Sequence, residues 1–107
     1  MTEVWHPIPG YEGLYEVSSH GRVRSFHRVT NLPCPHLSKL HIDAHGYTYV
    51  NFSKDGHKHK RKVHQLVLEA FHGPKPPGCV VHHKNSVRTN NYLSNLEYAS
   101  YKDNTLH

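Results

Sequence analysis

Apolar and polar residues alternate with a period of two through much of this chain, and the pattern shifts to helical spacing near residue 63. Leu14-Tyr15-Glu16-Val17-Ser18 and Arg22-Val23-Arg24-Ser25-Phe26 alternate on either side of the turn residues Ser19-His20-Gly21. They predict a hairpin with Val23 facing inward and Arg22 and Arg24 facing outward. Gly10-Tyr11-Glu12-Gly13 predicts a turn before it. Residues 27–45 have no clear period and hold two prolines, so a connecting loop with at most a short strand is expected.

The stretch "GYTYVNFSKDGHKHKRKVH" carries a stronger signal. Tyr47, Tyr49 and Asn51 fall on one face, and Thr48, Val50 and Phe52 on the other. Asp55-Gly56 supplies the positive φ that two-residue hairpin turns favour. The return strand then sets Lys58, Lys60 and Lys62 against His59, Arg61 and Val63. In "VHQLVLEAF" the residues Val63, Leu66, Val67, Ala70 and Phe71 form an apolar helical stripe, which Gly73-Pro74 should end. Val80-Val81-His82 reads as a strand, residues 84–91 as a polar loop, and "YLSNLEYAS" as a helical turn leading into a strand through Leu96–Ala99. Ser100 followed by Asp103 resembles a capping box and predicts a last helix holding Asn104.

Composition narrows the class. A chain of 107 residues is sized for a single small domain. No apolar run approaches membrane-spanning length, and the opening MTEVWHPIPG lacks the regions of a signal peptide. The cytoplasm is the expected compartment, that of a host cell if the gene is phage-borne. Cys34 and Cys79 read as reduced thiols, since two cysteines alone cannot build a cysteine-rich zinc framework. The formal charge of +5 and a pI near 9.3 point to a polyanion, with nucleic acid first.

His82-His83 at the end of a β-run sends two imidazoles to opposite faces of a strand, which core packing seldom requires. An imidazole titrating near neutrality suits a general base, and a divalent cation suits a phosphodiester under attack. The stretch "VHHKNSVRTNNYLSNLEY", with Asn90-Asn91 and Asn95-Leu96, resembles the HNH (ββα-metal, His-Me finger) motif of phage homing endonucleases. "SYKDN" resembles the segment that presents the last metal ligand, and "VHQLVLEAF" the helix that precedes the motif. The opening "WHPIPGYEGLYEVSSHGRVRS" resembles the N-terminal module that often accompanies it.

The resemblance implies a single α+β domain: N-terminal β-hairpins in residues 1–26, then a hairpin, a short helix and a ββα-metal core in residues 46–107. It implies a metal-dependent DNA endonuclease with His83 as general base and Asn95, twelve positions on, holding the loop and helping to orient that histidine. His82 and Asn104 match the two metal ligands. The cofactor would be one divalent ion, Mg²⁺ first, with Mn²⁺ or another transition metal open to a histidine ligand. His107 is left out of the ligand set. Double-stranded DNA is the expected partner, and no membrane is. Lys58, Lys60, Arg61 and Lys62 of the basic hairpin, with Arg22 and Arg24, are the expected phosphate contacts. A single site attacks a single strand, so a monomer or weak dimer should nick. Two other readings stay open: a DNA-binding module that does not cut, and a histidine-rich metal-binding protein. Metal-dependent cutting separates the nuclease from the binding module, and salt-dependent DNA binding argues against the last.

Overall fold

The computed structural model describes residues 2–26 and 35–100. Its elements follow as β1 (Trp5–Pro7), β2 (Tyr15–Ser18), β3 (Val23–Ser25), β4 (His36–Leu37), β5 (His41–Ile42), β6 (Thr48–Lys54), β7 (His57–Lys62), α1 (Val63–His72), β8 (Cys79–His83), a 3-10 turn (Leu93–Asn95) and β9 (Leu96–Ser100). The strands pair antiparallel in three sheets, β1-β2-β3-β4, β5-β6-β7 and β8-β9. The architecture is α+β, as the resemblance implied. Pro7 lies on the edge strand β1, where a missing N–H breaks no inner ladder.

The β2–β3 hairpin turns where Ser19-His20-Gly21 predicted. The Ser18 hydroxyl closes it, accepting from the backbone N–H groups of His20 and Arg22 at 3.1 Å each. The described part of residues 27–45 holds two short strands, where a loop with at most one was expected. β4 and β5 are two residues long and extend two different sheets at their edges. Alternation cannot show over so short a run.

In β6–β7 the positive φ angles of Asp55 (53°) and Gly56 (78°) form the tight turn. The register sets Tyr49 opposite Lys62 and Asn51 opposite Lys60, while Val50 faces Arg61 and Phe52 faces His59. Thr48, Val50 and Phe52 are buried, so the Tyr and Lys face is the outer one. The helix α1 begins directly after Lys62 with no intervening residue. Its buried face holds Val63, His64, Leu66, Val67 and Leu68, while Ala70 and Phe71 of the predicted stripe are half-buried against the core. Each aliphatic side chain fully buried there contributes roughly 1.5–3 kcal/mol. Gly73 ends the helix at φ 86°, donating to the carbonyl of Glu69 at 3.2 Å.

The core joins the two halves of the chain. Ile8, Val17 and Val23 of the first sheet cluster with Val50, Phe52, the α1 residues and Leu96 of β9. The Tyr15 hydroxyl adds a polar tie, accepting from the backbone N–H of Ser53 at 2.9 Å. Residues 2–26 therefore share a core with the elements that follow. No helix among the described residues is long and apolar enough to cross a membrane. The helix predicted after Ser100, with Asn104 and His107, falls outside the described residues, as does Cys34; Cys79 is a free thiol.

Candidate active site

β8 runs one residue further than predicted at each end and carries both histidines. His83 pairs with Leu96 of the core, and His82 pairs with Glu97 on the other face. His83 is 7% exposed, whereas His82 is half-buried. The imidazoles thus face opposite sides, one packed inward and one toward the outer surface. His82 makes no hydrogen bond or ion pair to another described residue, so its ring nitrogens remain available to a metal ion.

The loop after β8 is fixed by asparagines. Asn95 is 9% exposed and spans the loop's two ends. Its amide nitrogen donates to Asn85 Oδ1 at 3.0 Å and to the Asn90 carbonyl at 2.9 Å, and its Oδ1 accepts from the backbone N–H of Asn85 at 3.1 Å. Asn85 Oδ1 also accepts from the backbone N–H of Val87 at 2.9 Å, an Asx turn. Ser86 closes that turn at a positive φ of 63°. Asn95 holds the loop by these bonds, and the bond to the histidine ring comes from elsewhere.

That bond comes from Asn91, which the sequence pattern leaves among the polar loop residues. Asn91 Oδ1 lies 3.0 Å from His83 Nε2, and both residues are buried. With the amide oxygen facing the ring, Nε2 carries the hydrogen and Nδ1 keeps its lone pair. The doublet Asn90-Asn91 was the signal available, but an alternating or helical period gives no reason to choose the second member.

Asn91 in turn rests on the N-terminal hairpin. A Cβ added to Gly21, whose φ is 82°, would lie 2.8 Å from Asn91 Cβ and 2.9 Å from its carbonyl oxygen. Only glycine fits both the backbone angle and that approach. The Leu93 N–H donates to the Ser19 carbonyl at 2.7 Å, and the His20 ring stacks on Tyr92 at 4.6 Å. The turn at Ser19–Gly21 therefore seats the segment that holds His83.

A second histidine adjoins the first. The ring of His64, in the first turn of α1, lies 5.1 Å from that of His83 and 5.1 Å from that of Tyr47. His64 is 6% exposed, and its Nδ1 is buried without a partner among the described residues. Burial, with further contributions from His83 and Lys62, lowers its pKa from 6.5 to about 4.

The expected DNA contacts divide into two sets. Arg22 pairs with Glu3, its Nε 2.8 Å from Oε2, and Arg24 pairs with Glu16 at 2.8 Å and lies 4.2 Å over Trp5. Arg61 is on the inner face of β7 and pairs with Glu69 at 2.5 Å. The lysines have no such carboxylate among the described residues. Lys60 lies over Tyr49 at 4.1 Å and Lys62 over Tyr47 at 4.9 Å, while Lys58 is exposed on the same face. Arg88, which the sequence did not single out, lies 5.0 Å over the same Tyr47 and donates to the His45 carbonyl at 2.5 Å.

Among the described residues no group of three or more His, Cys, Asp or Glu is placed to hold a metal ion. The donor set available is therefore sparse: the unengaged imidazole of His82, with Glu97 across the strand on the same face. That is compatible with an ion that takes most of its ligands from phosphate and water.

Known proteins resemble both halves. Residues 3–53 match the NUMOD4 motif and residues 61–106 the HNH endonuclease family. DNA endonuclease I-HmuI of Bacillus phage SP01 is 35% identical over 100 residues, covering 94% of this chain and 54% of that protein. Uncharacterized HNH endonuclease L245 of Acanthamoeba polyphaga mimivirus is 33% identical over 107 residues, the whole of this chain and 30% of that protein. A solved structure described as DNA binding and cleavage by the HNH homing endonuclease I-HmuI superposes with a TM-score of 0.82 at 34% identity, covering 96% of this chain and 56% of that one. The chain spans about half the length of I-HmuI and less of L245. Residues 3–53 thus carry a NUMOD4 motif and residues 61–106 an HNH endonuclease domain, and the chain is similar over most of its length to the phage HNH homing endonuclease I-HmuI.

Proposed function

We propose that the chain is a divalent-metal-dependent DNA endonuclease in which His83 is the general base. The observation that carries this is the Asn91 contact. An acceptor at 3.0 Å on Nε2 leaves Nδ1 of a buried, oriented imidazole free to take a proton from water. Attack on the phosphorus with departure of the 3′ oxygen leaves 5′-phosphate and 3′-hydroxyl ends. His82 and Asn104 would hold the metal, which when bound supplies positive charge to the phosphate and to the departing oxygen. Asn95 keeps the loop closed behind His83 through its bonds to Asn85 and Asn90. Lys58, Lys60, Lys62 and Arg88 contact phosphates along the duplex. A single site cuts one strand, so a monomer nicks.

The test is conversion of supercoiled plasmid to open circle with Mg²⁺, Mn²⁺ or EDTA, followed by analysis of the new ends. Nicking with metal, none with EDTA, and ends that DNA ligase reseals are the expected result. DNA binding without cutting in any metal would overturn the reading in favour of a non-cleaving DNA-binding module.

A further inference from the structure

We propose that His64 is a second imidazole of the reaction centre, whose ring nitrogen contacts an oxygen of the phosphodiester attacked beside His83. The inference rests on the reading of His83 as the base, and its starting point is an orphan. His64 is 6% exposed, and its Nδ1 is buried without a hydrogen-bond partner among the described residues. Buried polar atoms are nearly always paired, and an unpaired one carries a desolvation cost that an apolar side chain would avoid. Nδ1 itself is enclosed, so the nitrogen left to meet a ligand is Nε2, which makes no hydrogen bond to a described residue.

The surroundings indicate which ligand. On one side the His64 ring meets His83 edge to face, with centroids 5.1 Å apart at 67°. On the other it meets Tyr47, the ring beneath both Lys62 and Arg88. His64 thus stands between the group that would take the water's proton and the cations that would hold the DNA backbone. The helix start adds to this: the first turn of α1 has no acidic residue, and Lys62 at its N-cap makes no side-chain cap. An anion is favoured there over a cation.

The ring suits this role because it is uncharged at neutral pH, its protonation held down to about 4 by burial and by the neighbouring His83 and Lys62. A neutral imidazole donates an N–H to a phosphate oxygen and does not compete with His83 for the water's proton.

Three substitutions at this position separate a chemical role from a packing role. His64→Phe keeps a ring and removes both nitrogens; His64→Leu replaces it if the larger ring lowers Tm. His64→Gln keeps an amide N–H. Single-turnover nicking of a plasmid saturated with enzyme is measured beside duplex affinity and Tm, with His83→Ala in parallel. The apolar variant should fold at least as stably as wild type, bind DNA within about twofold, and nick about tenfold more slowly or worse. His64→Gln should recover part of the rate. Wild-type nicking by the apolar variant would overturn the inference, as would a slow rate that follows a lowered Tm and is not restored by Gln. Nicking that survives His83→Ala would instead overturn the reading of the base.

Discussion

Arg22 and Arg24 on the first sheet carry the same charge as Lys60, Lys62 and Arg88 around the second hairpin, but in very different company. Each arginine of the first sheet has its own glutamate, and Arg24 also lies on Trp5. The cations of the second region lie over Tyr47 and Tyr49, with no carboxylate paired to them among the described residues. A net charge of +5 is thus distributed unevenly, neutralised on one surface and left available beside His83 on the other. The lesson is that a basic residue signals nucleic acid only after its partners are known. The first sheet serves the site in another way, because its turn at Ser19–Gly21 seats Asn91, which holds the candidate base.

This comparison can be broken at several points. The largest effect is expected from Asn91→Leu, which leaves His83 Nε2 without its acceptor; nicking should fall by about a hundredfold while DNA affinity holds. Replacing Lys60, Lys62 and Arg88 together by Ala should weaken duplex binding and flatten its dependence on log salt, by about 0.9 for each phosphate no longer neutralised. The same treatment of Arg22 and Arg24 should leave that slope unchanged. Equal flattening in both variants would erase the contrast. Gly21→Ala forces a non-glycine residue to a φ of 82° and a Cβ to 2.8 Å from Asn91. Strain of about 1–2 kcal/mol should lower Tm, and nicking should fall further than stability alone explains.

Smaller effects follow from protonation. The folded pKa of His64 lies below the unfolded 6.5, at about 4, so the unfolded chain binds the extra proton between those values. Its contribution to stability is complete above pH 6.5 and is lost as pH falls toward 4, a dependence that His64→Gln should remove from a Tm series. Glu3, which its hydrogen bond to Arg22 brings down to about 2, stabilises above pH 4.5 and loses that effect as pH falls further. The smallest change is expected from Arg22→Ala, which breaks a solvent-screened surface pair and should scarcely move a chemical melt.

Much of the fold was legible because burial imposes a period. Thr48, Val50 and Phe52 face the core as their alternation required, and Asp55-Gly56 turns where two positive φ angles are needed. What periodicity could not carry was pairing between distant residues. Nothing in the spacing of Arg22 selects Glu3, and nothing in "VHQLVLEAF" shows that His64 meets His83 rather than solvent. β4 and β5 are too short to alternate. The site was half legible for the same reason. A pair of histidines ending a strand is a local feature, but the acceptor that sets the tautomer arrives from Asn91 across a loop, under the turn at Gly21.

The most direct measurement is the nicking rate of His83→Ala against wild type, on one supercoiled plasmid with Mg²⁺ and enzyme in excess of its affinity. A general base contributes about 10²–10⁴-fold, so the variant should bind the plasmid normally and leave it supercoiled over the time wild type converts it. Equal rates with equal binding would contradict the account, because the imidazole that Asn91 holds would then take no part in the cut.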